Sequence, residues 1–297
     1  MRLAPFRLHR PTTIEQASEL LLELGDSAAP YCGGTELLLV AKLGFTRLTD
    51  LVDLKRIEEL AGIEADGVLR IGAAATHRQV ERAEAVRDGW PSLAAMERGV
   101  GNLRVRNVGT VGGNLSFADP HSDPATYLTA AGALLTARLR ADSRTMPVER
   151  LILGPYVTAL APGELLVSVE IPALPKRGAL VHRKIAFQER PAITVAVFVE
   201  LADGAIGEVR VAIGSVGARV MRSAAAEQLL TGVVVDDGTE STGGATGLVR
   251  AAADAAAAES EPIADSNGSV EYKRQLVRVL TERCTLQALA EVTTGSN

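Results

Sequence analysis

Residues 104–115 read RVRNVGTVGGNL, and an earlier glycine pair stands in CGGTE at 32–36. Each pair follows an apolar run and is flanked by short hydroxyl or amide side chains. Adjacent glycines can turn successive backbone N–H groups into one concavity, which is how a chain holds phosphate oxygens. Two such nests suit a pyrophosphate better than one, because charge sits on both phosphates. Neither segment is GxGxxG or a Walker sequence, and a glycine pair alone is more often only a tight turn. Asp123 could accept from a ribose hydroxyl or a base edge. Ser122 and Asp123 before Pro124 are also how a helix gains its N-cap, and the two roles can coexist. Lys184, in RKIAFQERP, follows a proline-rich stretch, where a residue of one domain could close over a cofactor held by another. Its plainer role is that of a solvated lysine, and Arg104 and Arg106 read as solvated surface. No Ser-His-Asp or Cys-His arrangement is visible, and Asp119 and Asp123 do not form an evident acid/base pair. No catalytic residue is assigned, so the chain is expected to hold a group that reacts rather than to react itself.

The elements that must position these residues fall into three groups. Residues 6–8 look extended, and Thr13 with Gln16 resembles a capping box opening a helix through Leu24, closed by Gly25. A strand over 28–32, the glycine turn, a helix over 36–43 and a strand over 51–54 complete a small parallel α/β unit with the turn at a strand's carboxyl end. From residue 60 the pattern becomes antiparallel: a hairpin on Asp66-Gly67, helices at 76–86, 91–100 and 122–131, alternation over 134–140, and a strand over 165–171. Pro172, Pro175 and Gly178 mark a linker. Beyond it, strands 193–200 and 206–213 form a hairpin on Asp203-Gly204. Helices over 223–231, 246–259 and 269–291 follow, with a Gly-Thr-Ser-rich loop near 237–245. The predicted domains are 1–175, with subdomains 1–57 and 58–175, and 176–297.

Composition narrows the function classes. A chain of 297 residues suits two or three domains, large enough together to bury a cofactor. A net charge of −5 without a basic stripe argues against a nucleic-acid surface. No stretch reaches about 18 uncharged apolar residues, and the first residues lack the apolar run of a signal peptide, so a cytoplasmic protein without a membrane span is expected. Cys32 and Cys284 form no Cys-x-x-Cys pair, and His9, His77, His121 and His182 lack metal-ligand spacing, so no metal site is predicted.

CGGTELL, LVDLKRIEELAGI, LRIGAAATH, RVRNVGTVGGNLSFADPHSD, PGELLVSVEIP and DSNGSVEYKRQLVRVLTER occur in this order from about residue 5 to 290. Together they resemble the FAD-binding medium subunit of molybdenum hydroxylases, a group that includes xanthine dehydrogenase-like enzymes, carbon monoxide dehydrogenase and bacterial N-heterocycle hydroxylases. The resemblance implies an α+β fold: a two-part FAD-binding domain, one part small parallel α/β and the other antiparallel α+β, followed by a C-terminal domain of a small antiparallel sheet with helices. It implies that Tyr31, Cys32, Gly33, Gly34, Thr35, Glu36 and Leu37 and then Thr110, Val111, Gly112, Gly113 and Asn114 straddle the FAD pyrophosphate. It further implies that Asp123 contacts the nucleotide, that Val100 and Leu166 are apolar neighbours of the cofactor, and that Lys184 is a basic contact. Expected partners are a large molybdenum-cofactor subunit and a small iron–sulfur subunit, in a dimer of heterotrimers. The implied activity is oxidoreductase electron transfer to an external acceptor, with an N-heterocycle, purine or aldehyde hydroxylated on the large subunit. A carbon monoxide dehydrogenase medium subunit and a self-sufficient flavin oxidase are the alternatives. The former often carries AGGHS and IRYMGT where this chain has CGGTE and Asn107, and the latter needs a positioned base.

Overall fold

A computed structural model of the chain describes residues 3–235 and 242–294, with only the backbone described for 242–245. The Gly-Thr-Ser-rich loop expected near 237–245 therefore lies, as far as residue 241, outside the described residues. The chain forms two compact units, one of Met1–Asp119 with Ala133–Ile171 and the other of Pro120–Gly132 with Pro172–Asn297.

The first unit holds two main sheets. A three-stranded sheet has the order Arg7–His9, Asp50–Asp53, Ala28–Tyr31, with the central strand parallel to both neighbours. The helix Ile14–Leu24 covers it because Ile14, Ala17 and Leu21 share a face at helical spacing and are buried. The Thr13 hydroxyl accepts from the Gln16 N–H, while Gln16 reaches back to the N–H of Thr12 rather than Thr13, so the capping box is offset by one residue. Gly25, at φ +57°, ends the helix. The central strand is buried throughout and carries Asp50, whose carboxylate accepts from Arg7 at 3.0 Å and Thr49 at 2.8 Å and meets His9 Nε2 at 2.7 Å.

The second sheet of this unit has the order Ile63–Asp66, Val68–Gly72, Leu165–Pro172, Leu134–Leu139, Asp142–Pro147. The hairpin at Gly67 forms as expected, with φ +69° at the glycine. The strand Asp142–Pro147 was not anticipated. It is a polar edge strand, mostly exposed, so no apolar alternation marks it. The helix expected over 76–86 breaks at Ala83 into His77–Arg82 and Glu84–Gly89. A further helix, Leu103–Val108, lies inside the segment read as glycine-rich loop, started by Asn102, which accepts from the N–H groups of Arg104 and Val105.

The second unit is a four-stranded antiparallel sheet, Gly178–Ala186, Pro191–Ala202, Ala205–Gly214, Met221–Arg222, with helices. Asp203 and Gly204 both take positive φ, the backbone a two-residue hairpin turn requires. The strand Pro191–Ala202 is buried on both faces for most of its length, so it reads as a nearly continuous apolar run. Val195, Val197, Val199, Val211 and Ile213 share a core with Val277, Leu280, Cys284 and Ala288 of the helix Val270–Thr294. The helix Asp123–Ala131, buried at every residue, packs with this sheet. Among the described residues no helix is long and apolar enough to cross a membrane.

Hydrogen bonds from Arg7, His9 and Thr49 hold the Asp50 carboxyl well below the usual carboxylate range. A depressed folded-state pKa stabilises the fold above the unfolded value of about 4 and ceases to do so as pH falls through the folded value. Asp50→Asn should therefore melt below the parent at pH 7, with a difference in Tm that narrows progressively below about pH 4. Thermal melts of both proteins from pH 2 to 7 check this, and a constant difference would refute it.

Candidate functional site: two glycine segments and a buried acid

The first glycine segment leaves the carboxyl end of the strand Ala28–Tyr31 and enters the helix Leu37–Leu43, where Leu38 N–H donates to Gly34 O at 3.1 Å. Gly34 has φ +68°, and a Cβ there would meet the Tyr31 ring at 2.6 Å. Among the described residues, no protein acceptor engages the backbone N–H groups of Gly33, Gly34 and Thr35. Three successive donors at a strand-to-helix turn, one glycine in the left-handed region, have the character of an anion nest. Lys55 Nζ lies 4.5 Å from the centre of the Tyr31 ring and 3.6 Å from Asp53 Oδ2, so its charge near the turn is offset by that carboxylate. Burial pushes the Cys32 thiol up, against a lowering hydrogen bond with Thr110, so it stays protonated at neutral pH.

The second segment is built differently, which corrects the expectation of a matching nest. Thr110 is the N-cap of the helix Val111–Phe117, and Gly112 and Gly113 lie in its first turn. Val111 N–H donates to Ala75 O at 3.1 Å, Gly112 N–H to Ala73 O at 3.0 Å, and Asn114 N–H to Thr110 O at 2.9 Å. Gly113 N–H donates to the Thr110 hydroxyl at 3.1 Å. All four N–H groups thus have protein acceptors. Gly112 is required by packing instead, since a Cβ there would lie 2.5 Å from the Ala73 side chain and 2.7 Å from Ala73 O. Of the polar side chains here, Thr110 is buried with its hydroxyl engaged by Gly113 N–H, and Asn114 is half-buried.

The two segments nevertheless meet within the first unit. A Cβ on Gly33 would lie 2.2 Å from Val108 O and 2.8 Å from Gly109 Cα, and one on Gly109 would lie 3.6 Å from the Thr35 methyl. Val100 is buried beyond the helix Pro91–Arg98, where its carbonyl accepts from Arg106 at 3.1 Å. Arg106 also pairs with Glu81 at 3.3 Å, so it is largely buried and tied to protein groups rather than solvated as the sequence suggested. Leu166 is buried in the strand Leu165–Pro172, beside an irregularity in register between Leu166 and Ser168.

Asp123 and Lys184 come together in the second unit. Ser122 caps the helix Asp123–Ala131 by accepting from Ala125 N–H at 3.2 Å, so the expected capping role holds. Asp123 is 4 % exposed, and Lys184 donates to its Oδ2 at 2.7 Å. A carboxylate in the first turn of a helix is favoured by the helix dipole. His182, two residues before Lys184 on the strand Gly178–Ala186, places Nε2 3.9 Å from Asp123 Oδ1. Burial, and secondarily the Lys184 charge, lowers the His182 pKa to about 3, so the ring is neutral near Asp123 at physiological pH. Sequence reasoning missed His182 because an isolated histidine has no spacing signal. The residues therefore provide backbone donors suited to phosphate oxygens and, in the other unit, a buried, oriented carboxylate able to accept from hydroxyl groups. Each, taken by itself within its own unit, is chemistry suited to a dinucleotide such as FAD.

Comparison with known proteins agrees with that chemistry. Residues 4–174 match the FAD binding domain in molybdopterin dehydrogenase, and residues 183–288 match the CO dehydrogenase flavoprotein C-terminal domain. The chain is 29% identical over 289 residues to the nicotine 6-hydroxylase medium subunit of Paenarthrobacter nicotinovorans, covering 97% of this chain and 99% of that one. It is 29% identical over 281 residues to the 6-hydroxypseudooxynicotine dehydrogenase complex subunit alpha of the same organism, covering 93% of this chain and 92% of the relative. In structure it is similar to a chain of carbon monoxide dehydrogenase from Hydrogenophaga pseudoflava lacking the Mo-pyranopterin moiety of the molybdenum cofactor, with TM-score 0.91 and 30% identity over 98% of this chain and 99% of that one. The chain belongs to the FAD-binding medium subunits of molybdenum hydroxylases, the flavoprotein components of these oxidoreductases.

Proposed function

We propose that this chain is the electron-passing subunit of a molybdenum hydroxylase in which a large subunit hydroxylates substrate at a molybdenum cofactor and a small subunit carries iron–sulfur clusters. The chain would pass the electrons on to an external acceptor, within a cytoplasmic dimer of heterotrimers. The observation that carries this reading is the set of unengaged N–H groups at Gly33, Gly34 and Thr35, held against the second glycine segment. When bound, FAD accepts electrons singly and releases them as a pair. The role of the chain is then to hold and orient it. The N–H groups of Gly33, Gly34 and Thr35 bind pyrophosphate oxygens, with Tyr31, Cys32, Glu36 and Leu37 shaping that turn. Thr110 and Asn114 supply polar side chains, and Val111, Gly112 and Gly113 set the helix that presents them. Val100 and Leu166 exclude water, Asp123 accepts from the nucleotide portion, and Lys184 orients the Asp123 carboxylate and adds positive charge.

The matched regions 4–174 and 183–288 support functional domains of 1–175 and 176–297, and the change from parallel to antiparallel sheet supports dividing the first into subdomains 1–57 and 58–175. For the hydroxylated substrate we favour an N-heterocycle, purine or aldehyde. Similarity to a nicotine hydroxylase subunit supports the heterocycle, and CGGTE with Asn107 weighs against carbon monoxide despite the structural likeness.

Co-expression with large and small subunits of a molybdenum hydroxylase from the same source should yield a complex containing flavin, identified by its absorbance after release, that is reduced by substrate, whereas the isolated chain should show no such reduction. Absence of flavin under every expression condition, including co-expression, would overturn the assignment, and substrate reduction by the chain alone would establish a self-sufficient oxidase instead. Gly33→Ala forces a Cβ onto Val108 O and should cost about 1–3 kcal/mol of stability and abolish most flavin retention, as read by thermal melts and by the flavin-to-protein absorbance ratio. Lys184→Met removes one charge-assisted hydrogen bond from Asp123 and should weaken FAD binding about tenfold. Unchanged affinity by isothermal titration would return Lys184 to a purely structural tether.

A further inference from the structure

His77 and Glu97 form a hydrogen-bonded pair that none of the roles above uses. His77 Nδ1 lies 2.7 Å from Glu97 Oε2, with the side chains 2% and 1% exposed. A hydrogen-bonded pair of ionisable groups removed from water is expensive unless its geometry is well satisfied, and its value often lies in fixing one arrangement. The two residues belong to different short helices, His77–Arg82 and Pro91–Arg98, whose packing brings them together.

The backbone of His77 is held from both sides. Thr76 caps the helix with a complete capping box to Gln79, and His77 N–H donates to Gly109 O at 3.0 Å. Thr76 is also bridged antiparallel to Thr110. As the first residue of its helix, His77 has few neighbours within the helix to restrict its ring, so the Glu97 hydrogen bond selects the ring orientation. In that orientation Cδ2 faces Gly109, where a Cβ would lie 3.4 Å away. Gly109 in turn faces Gly33, whose own Cβ would lie 2.8 Å from Gly109 Cα, and the Thr35 methyl. Contact is continuous from Glu97 through His77 and Gly109 to the turn whose N–H groups are open.

We infer that the His77–Glu97 pair positions the cofactor-holding turn: Glu97 fixes the His77 ring, the ring seats Gly109, and Gly109 sets where Gly33 and Thr35 present their N–H groups. His77 and Glu97 are positioning residues that act through Gly109. The inference rests on the proposed binding of FAD pyrophosphate by Gly33, Gly34 and Thr35.

The test is FAD titration of the purified full chain, stripped of flavin, with melting temperature measured in the apo and FAD-loaded states. Glu97→Leu should raise the FAD Kd by about tenfold or more, since small displacements of pre-oriented groups are costly. It should also shrink the FAD-induced rise in Tm and alter the visible circular dichroism of bound flavin. Glu97→Gln retains an acceptor for His77 and should restore the Kd to within about threefold of the parent. Lowered Tm in both states with parental Kd and flavin dichroism would overturn the inference, as would failure of Glu97→Gln to rescue when Glu97→Leu is defective. Should Glu97→Leu fail to fold, Gly109→Ala, His77→Ala and their double variant supply the answer. Effects on Kd that are less than additive are expected, and strict additivity refutes the coupling. Absence of FAD binding by the parent chain would count against the pyrophosphate reading itself and is thereby distinguished from failure of the positioning role.

Discussion

A methyl group on Gly33 would sit 2.2 Å from the carbonyl oxygen of Val108, so two segments some seventy-five residues apart in sequence must run backbone against backbone. That closeness constrains much of the first unit. The parallel sheet has to deliver Tyr31 and the turn to one side of the contact. The antiparallel part has to deliver Val108 and Gly109 to the other, which it does by ending the helix Leu103–Val108 there and bridging Thr110 to Thr76. Gly112 repeats the device one turn later, where its helix lies directly on Ala73. Glycine is needed at both places because any side chain would separate backbones that must touch.

The two glycine segments look alike in sequence and solve different problems. In the first, the chain bends between strand and helix with one residue in the left-handed region, leaving three N–H groups without acceptors among the described residues. In the second, the same dipeptide sits inside a helix start, where the Ala73 carbonyl engages Gly112 N–H and the cap hydroxyl engages Gly113 N–H. The second unit presents another form of preorganisation. Lys184 and a helix N-terminus hold a nearly buried carboxylate in place, with a neutral His182 nearby. Each arrangement fixes its polar groups before any ligand arrives, which lowers the ordering cost of binding.

Several elements were legible because a single local rule governs them. Thr13 and Gly25 bracket a helix whose buried face follows from its spacing, and Asp203-Gly204 permits little other than a tight hairpin turn. Others carried no such signal. The strand Asp142–Pro147 is a polar edge, Ala83 breaks an apparently continuous helix, and the helix Leu103–Val108 was concealed by a segment that looked like loop. At the candidate site, Asp123 was legible as a helix cap. Its partnership with Lys184 was not, because 61 residues separate them and no periodicity relates a helix start to a strand.

The amino-acid sequence by itself determined the α+β class, the parallel and antiparallel parts, and the family. These depend on side-chain type, backbone permissiveness and short-range spacing, all written locally. Only the tertiary structure decided which backbone N–H groups remain open, since that depends on whether a distant carbonyl reaches them. It likewise decided that Arg106 is tied to Glu81 and Val100, that His77 meets Glu97, and that the helix Asp123–Ala131 packs with the sheet of the second unit. Hydrogen-bond partnership and close packing join residues remote in the chain, and the local pattern around either partner does not encode the other.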